Sequence, residues 1–178
     1  VLGFVSNTGC AGLTLGGGFG YLSRRFGWTS DNVTAIDLVT PDGRAIRASE
    51  REHSDLFWGL RGGGGNFGVA TSFEYALHPV GPDIIGGAIA WRGEDAGRVL
   101  EMYRTLAAEA PPELTCVAGL RIAPPAPWLK PEVHGKPIVA LFVCYSGSLA
   151  DGEKLLAPIK AFGAPVGDVV QKRPYVSQ

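Results

Sequence analysis

The segment GLTLGGGFGYLSRRFG, residues 12–27, decides how the rest of this chain is interpreted. Glycine occupies positions 12, 16, 17, 18 and 20, and the amphipathic run that follows carries Arg24 and Arg25. Glycine lets the backbone approach a ligand closely or adopt a positive φ angle. Three consecutive glycines that enter a helix predict a surface of bare N–H groups suited to a phosphate or carbonyl oxygen. A tight turn that serves only packing is the alternative interpretation.

A second glycine cluster, GLRGGGGNFG, spans residues 59–68. Gly63, Gly65 and Gly68 formally satisfy the G-x-G-x-x-G pattern, but a dinucleotide-binding fingerprint needs a strand before it and a helix after it. Here a helix-like segment comes first and a strand-like segment comes after. Neither cluster continues into G-K-[ST], which excludes a P-loop. Two glycine loops this close together favour a large, flat or extended ligand that the backbone contacts twice.

Two longer runs contain these clusters: TGCAGLTLGGGFGYLSRRFGWTSDNVTAIDLVTPDGR at residues 8–44 and DLFWGLRGGGGNFGVATSFEYALHPVGP at residues 55–82. Together they closely resemble the FAD-linked oxidases of the vanillyl-alcohol-oxidase and p-cresol-methylhydroxylase (PCMH) type, in particular the berberine-bridge-enzyme-like branch. The resemblance is dense over residues 3–82 and looser beyond them. It implies an FAD-dependent oxidoreductase that passes hydride from an organic substrate to flavin N5, usually with O2 as the acceptor.

Pattern and resemblance predict an α+β fold: the second part of a PCMH-type FAD-binding domain, followed by the start of an antiparallel-sheet substrate domain. The segment HPVGP at residues 78–82 interrupts the strand pattern. Residues 1–79 are therefore assigned to the FAD-binding domain and residues 80–178 to the substrate domain. In the latter, a β-α-β-β-α-β order predicts helices on one face of a mostly antiparallel sheet. The chain starts at Val1, without Met, so we expect a piece of a longer protein that is inactive alone.

The resemblance also implies which residues contact FAD. Asn32 and Val69 are candidates near the adenosine or ribose end, although a turn-capping amide is the alternative role of Asn32. Backbone contacts are assigned by motif match to the residues of the first glycine loop, which are Thr8, Gly9, Gly12, Gly16, Gly17 and Gly18.

Covalent attachment and catalysis are also addressed by the resemblance. Many berberine-bridge-like proteins attach flavin through an early His and through a Cys just before the first glycine loop. Aligning the glycines places Val5 at the Cys position, and Cys10 does not match, so we expect no cysteinyl link. The His link and the catalytic base are expected outside these residues, and no catalytic residue is named. Tyr103, Tyr145 and Tyr175 are interpreted first as core or strand aromatics.

Local patterns predict the individual elements of the first part. A strand end at residues 1–8 should precede the glycines, and a helix through Phe26 should follow them. A hairpin should form around Pro41-Asp42-Gly43, and a helix with Ser49 or Ser54 as its N-cap should cover residues 54–61. A half-buried strand should follow at residues 69–77. The residues expected in the core from these last two elements are Leu56, Phe57, Trp58, Leu60, Val69, Thr71, Phe73, Tyr75 and Leu77.

The second part follows the same reasoning. We expect a helix over residues 94–110, ended by Pro111-Pro112, and a later helix capped by Ser148 or Asp151 that runs to Phe162. Strands are predicted at residues 83–92, 114–123 and 138–145, and a further strand should begin at Val169–Val170.

Composition sets the broad class. The chain has 178 residues, of which 46% are hydrophobic and 19% charged, with a net charge of −1. This balance argues against nucleic acid as a partner, and no apolar run is long enough for a bilayer. The three cysteines and three histidines share no metal or redox spacing, so no metal site is expected.

Partners and compartment are expectations of the same kind. A small-molecule substrate is the expected partner, the cytoplasm the expected compartment, and open sheet edges the expected route to a homo-oligomer. A non-catalytic binding or interaction module, with the same open edges pairing to another chain, is the alternative class.

Overall fold

The computed structural model describes all residues from Val1 to Gln178, which form two compact units, Val1–Pro79 and Val80–Gln178. No helix in either unit is both long and apolar enough to cross a membrane.

The first unit is built on a three-stranded antiparallel sheet with the order β2-β1-β3. Strand β1 (Val33–Val39) pairs with β2 (Ala45–Ser49) on one side and β3 (Val69–Tyr75) on the other. The predicted hairpin of β1 and β2 is confirmed: Val39 lies opposite Ala45, and Gly43 supplies the positive φ of 82° at the turn. Pro-Asp-Gly chemistry produces this turn because glycine accepts that φ without strain.

Three helices complete the first unit: α1 (Cys10–Leu15), α2 (Ser23–Phe26) and α3 (Ser54–Leu60). Its core lies between β1 and α3, where Ile36 and Leu38 are buried together with Phe57 and Leu60. Phe57 and Leu60 are three positions apart, so both project from one face of α3.

Several expectations for the first unit are wrong. No strand forms at residues 1–8, and the predicted helix after the glycines is reduced to the four residues of α2. Trp58 is 76% exposed, because it is rotated by about 100° around α3 from the buried Phe57. The N-cap position of α3 is His53 rather than Ser49 or Ser54.

The predicted buried face of β3 is wrong at Val69, Thr71 and Leu77, all of which are exposed. Val69 is 70% exposed, and Leu77 is 89% exposed and lies beyond the strand. The register shifts within β3, so that Ala70, and not Val69 or Thr71, lies opposite the buried Leu38. A one-residue irregularity moves the following side chains to the other face, which no alternation pattern can show.

The second unit is an antiparallel sheet with helices on one face, as predicted. Strands β4 (Asp83–Arg92), β5 (Leu114–Ile122) and β6 (Pro137–Tyr145) form its main part in the order β5-β6-β4. The two helices of this unit are α4 (Ala96–Glu109) and α5 (Leu149–Lys160). The short strands β7 (Gly167–Asp168) and β8 (Gln171–Pro174) both pair with β4. The strand predicted to begin at Val169–Val170 begins at Gln171, because these two residues connect β7 and β8.

Alternation along the strands separates the two faces of this sheet. The helix-covered face buries Ile89, Trp91 and Leu141 against Val99 of α4 and Leu156 of α5. Ser148 is the N-cap of α5, and its hydroxyl accepts a hydrogen bond from the Asp151 N–H at 3.4 Å, which confirms one of the two predicted caps.

The opposite face of the sheet carries no α-helix, only the 3-10 turn Pro131–Val133. Part of it is covered by the segment after β5, where Leu129 and Val133 are buried against Ile138 and Ala140. Thr115 also lies on this face, next to Cys144 across the β5–β6 ladder, and it is 7% exposed. Its hydroxyl has no hydrogen-bond partner.

We expect Thr115→Val to raise the free energy of unfolding by about 1 kcal/mol, because it removes a buried hydroxyl that makes no hydrogen bond. The matched control is Thr14→Val. Thr14 is fully buried, and its hydroxyl bonds Cys10 O at 2.6 Å and Tyr75 Oη at 2.7 Å, so its loss should destabilise by about 1–2 kcal/mol. Urea denaturation of both variants measures the difference. A loss of stability in Thr115→Val equal to that of the control would contradict the prediction.

Candidate cofactor site at the first glycine loop

The first glycine loop ends a helix; it does not start one. Helix α1 stops at Leu15, and Gly17 and Gly18 have φ angles of 95° and 72°. The Gly17 N–H donates to Thr14 O at 3.0 Å, which closes the last turn. The expectation of glycines entering a helix is therefore wrong. The signal that could have shown this is the glycine preference of the residue after a helix, where a positive φ is needed.

Residues 29 and 30 brace this loop from behind. The N–H groups of Thr29 and Ser30 donate to Gly18 O and Gly17 O, each at 2.8 Å. The Trp28 ring lies against Gly17, so that a Cβ atom there would be only 3.0 Å from Trp28 Cε3. Gly17 and Gly18 are buried, and three of their polar groups are used inside the protein.

The other predicted loop residues lie on the surface. Thr8, Gly9, Gly12 and Gly16 are all exposed, and a Cβ atom at Gly9 or Gly12 would meet nothing within 4 Å. Gly9 is the N-cap position of α1, and the first N–H groups of any helix have no acceptor within it. Part of this backbone is used inside the protein, because the Thr8 N–H donates to Val5 O, and the carbonyl oxygens of Gly9 and Gly12 accept from Leu13 and Gly16. The exposed positions and missing side chains still leave room for a ligand beside the backbone.

The second glycine segment lies next to the first loop. Helix α1 packs against the 3-10 turn Gly64–Phe67, and Leu15 joins the same apolar cluster as Phe67. A groove of about 420 Å³ follows this segment. Its lining residues are Asp31, Trp58, Gly59, Arg61, Gly62, Gly63 and Phe67. The structure thus brings the two glycine clusters together, and Val69 follows directly at the exposed start of β3.

Asn32 occupies a different kind of position. It is 4% exposed, and its Nδ2 donates to Phe26 O at 3.0 Å and Trp28 O at 2.6 Å. Its Oδ1 lies 2.5 Å from His78 Nε2. The amide is fully engaged within the protein, which matches its alternative interpretation as a capping side chain.

The thiols differ in exposure. Val5, which the glycine spacing aligns with the expected flavin-linked Cys, is 60% exposed, and Cys10 is exposed at the start of α1. Burial raises the pKa of the Cys116 and Cys144 thiols to about 12, so both remain protonated at neutral pH. No group of three or more His, Cys, Asp or Glu side chains is arranged to hold a metal ion.

Two of the tyrosines have structural environments. Tyr145 is buried in the core of the second unit, and Tyr103 packs beside that core and donates its hydroxyl to Cys116 O at 3.1 Å. These are the environments that the sequence favoured.

Comparisons with known proteins place this geometry in a class. An FAD-linked oxidoreductase from Dictyostelium discoideum is 34% identical over 98% of this chain, and (R)-6-hydroxynicotine oxidase from Paenarthrobacter nicotinovorans is 31% identical over 98%. The crystal structure of 6-hydroxy-D-nicotine oxidase from Arthrobacter nicotinovorans superposes with a TM-score of 0.85 at 28% identity, covering 99% of this chain and 38% of the oxidase. No protein-family model matches the chain.

The fold and the relatives agree. The chain is a relative of the FAD-linked oxidoreductases. The predicted resemblance to FAD-linked oxidases is confirmed by these relatives. A berberine-bridge-like protein from Physcomitrella patens shares the fold, with a TM-score of 0.79 at 24% identity. The chain spans 36% and 37% of the length of the two curated relatives named above.

We expect Gly17→Val to lower the free energy of unfolding by about 1–3 kcal/mol or more, because valine would combine an unfavourable φ with a clash against Trp28. Gly43→Val is the matched control: its φ is also positive, but a Cβ atom there meets nothing within 4 Å. The control should lose only about 1 kcal/mol. Equal losses in denaturant titrations would show that the Trp28 contact contributes nothing.

Proposed function

We propose that this chain forms part of an FAD-dependent oxidoreductase that passes hydride from an organic substrate to flavin N5, usually with O2 as the acceptor. The observation that carries the proposal is the first glycine loop, where exposed backbone at Gly9, Gly12 and Gly16 leads into the buried Gly17 and Gly18, whose carbonyl oxygens accept from Ser30 and Thr29. Relatives named FAD-linked oxidoreductase or oxidase match nearly all of the chain and support it.

The exposed loop residues fit an extended cofactor. Side chains at Gly9 and Gly12 would project into open space, so glycine there leaves room for a ligand to lie against the backbone. In the proposal, Thr8, Gly9, Gly12 and Gly16 contact FAD through backbone groups, and Val69 does so from the start of β3. FAD itself supplies the redox chemistry, and this chain supplies position and hydrogen bonds.

The two units are assigned separately. Residues 1–79 are proposed to be the second part of a PCMH-type FAD-binding domain, and residues 80–178 the start of a substrate domain. The face of the β5-β6-β4 sheet opposite α4 and α5, which no α-helix covers, supports a ligand-facing role for the second unit. Substrate identity stays open within organic small molecules. The relative from Paenarthrobacter nicotinovorans is named for 6-hydroxynicotine.

A homo-oligomer through open sheet edges is the second proposal about partners. Strand β5 is the outer strand of its sheet and has nine residues. It exposes Val117 (39%), Leu120 (66%) and Ile122 (60%), and a long apolar edge strand favours pairing with another chain. A non-catalytic module would use the same edge, but the named relatives do not favour that class.

An absorption spectrum of the intact gene product tests the function. A flavin spectrum that is bleached by substrate supports the oxidoreductase. A colourless protein that does not take up added FAD would contradict the proposed oxidoreductase function.

The 178 residues alone are expected to bind little or no FAD and to oxidise no substrate, because they correspond to only about a third of their relatives. Loops without their neighbouring segments lose binding energy when a ligand has to order them. The same sample should associate through the β5 edge. FAD titration by flavin fluorescence, with light scattering for mass, measures both. Tight stoichiometric binding by a monomer would contradict both expectations.

Any covalent flavin in the intact protein is expected to map outside these residues, since Val5 offers no thiol. Peptide mass spectrometry after proteolysis locates the link. A flavinylated peptide that contains Cys10 would show that the position of Cys relative to the glycines was assigned wrongly.

A further inference from the structure

Asn32 is buried between the first glycine loop and the end of the first unit, and every polar atom of its side chain has a protein partner. Its two amide hydrogens are accounted for by the carbonyl oxygens of Phe26 and Trp28. Its Oδ1 must therefore be the acceptor that faces His78, and His78 Nε2 is the donor. Among side chains of this size, only asparagine offers two donors and one acceptor on one planar group.

The backbone N–H and carbonyl groups of Asn32 also make hydrogen bonds to two different segments. Its N–H donates to Thr29 O at 3.2 Å, and its carbonyl oxygen accepts from the Ala76 N–H at 2.8 Å. The His78 ring stacks on the Phe26 ring, with centroids 4.1 Å apart and planes 7° apart. Asn32 thus joins the segment before β1 to the segment after β3.

The segment that Asn32 holds is the one that braces the glycine loop. Trp28, whose carbonyl accepts from Asn32, lies with its ring against Gly17. The next two residues, Thr29 and Ser30, donate their N–H groups to Gly18 O and Gly17 O. A continuous set of hydrogen bonds therefore leads from the Asn32 amide to the two glycines with positive φ.

We infer that Asn32 is a positioning residue, which holds the first glycine loop in its ligand-ready conformation through residues 28–30 and does not contact the cofactor. The part of this inference that concerns FAD rests on the proposed function. The hydrogen-bonded arrangement of Asn32 with residues 26, 28 and 78, called the clamp below, is a property of the protein without ligand. It can therefore be tested separately. Buried amides that are fully satisfied fix one arrangement of their neighbours, because any other arrangement leaves a polar group unpaired.

The test compares two variants of the intact protein by hydrogen exchange without added FAD. Asn32→Asp keeps the shape and the acceptor for His78, but a carboxylate has no N–H to donate to Phe26 O and Trp28 O. Exchange at the amides of Thr29 and Ser30 should accelerate about tenfold or more, while Ile36 in β1 stays protected. His78→Phe is the control. It leaves Asn32 Oδ1 without its donor but keeps an aromatic ring for Phe26 and both donor bonds of Asn32 to residues 26 and 28. Exchange at Thr29 and Ser30 should therefore accelerate by about twofold at most.

Three results would overturn the clamp: unchanged protection of Thr29 and Ser30 in Asn32→Asp, an equal acceleration of the β1 amides, or an equal effect in His78→Phe. If Asn32→Asp does not fold, Asn32→Ala removes the same donors without a buried charge and is judged by the same criteria. A loss of global stability alone would accelerate exchange at all amides together, so it can be distinguished from a local effect at Thr29 and Ser30.

The FAD affinity of the same variants tests the part of the inference that concerns the cofactor. Asn32→Asp should weaken FAD binding about tenfold, and His78→Phe should leave it within about twofold of the original protein. Loosened Thr29 and Ser30 amides with unchanged FAD affinity would overturn the role toward the cofactor and leave the clamp standing. If the unmutated protein binds no FAD, the proposed function and the role of Asn32 toward the cofactor are both contradicted, but the hydrogen-exchange result still stands.

Discussion

Two backbone hydrogen bonds, from Thr29 and Ser30 to the carbonyl oxygens of Gly18 and Gly17, hold the part of the first unit on which the candidate site depends. The positive φ angles of these glycines turn the chain sharply after α1, and such a turn is flexible unless other groups fix it. The fixing groups come from residues 28–30, and Asn32 in turn fixes those residues. The open backbone at Gly9, Gly12 and Gly16 can be a preorganised surface because a buried, polar support lies behind it.

This arrangement separates two roles that glycine has in one short segment. The exposed glycines leave space that a ligand can occupy, as the empty surroundings of Gly9 and Gly12 show. The buried glycines shape the turn, as the positive φ angles and the Trp28 ring against Gly17 show. Asn32 likewise belongs to the support and not to the surface. A list of residues near a cofactor would not make this distinction, because all of them lie within one continuous motif.

The second unit shows a comparable difference between the two edges of its sheet. At one edge, the short strands β7 and β8 are separated from each other, and β8 carries Lys172 and Pro174, features that limit further pairing. At the other edge, β5 is long and has exposed apolar side chains at Val117, Leu120 and Ile122. The helices cover only one face of this sheet, and the opposite face retains a buried hydroxyl without a partner at Thr115. The exposed β5 edge is the observation behind the proposal that this unit pairs with another chain.

The sequence by itself determined the class of fold, the β1–β2 hairpin, the main strands and helices of the second unit, and the relationship to FAD-linked oxidoreductases. These depend on local signals: Pro-Asp-Gly at a turn, alternation along strands, helical periodicity, and two glycine-rich runs of specific composition. Element boundaries in the second unit were predictable to within a few residues because strong apolar periodicity ends at prolines and polar caps.

Only the tertiary structure decided which glycines are exposed, and that Trp58 faces outward and Phe57 inward. It also decided that the Asn32 amide makes all of its hydrogen bonds within the protein, to Phe26, Trp28 and His78. A glycine has the same sequence signal whether it shapes a turn or leaves room for a ligand. The difference lies in the neighbours that its missing Cβ would meet. The partners of Asn32 include a side chain 46 residues away, and the β3 register depends on an irregular pairing with β1. Contacts between residues distant in sequence leave no local pattern, so only the folded chain reveals them.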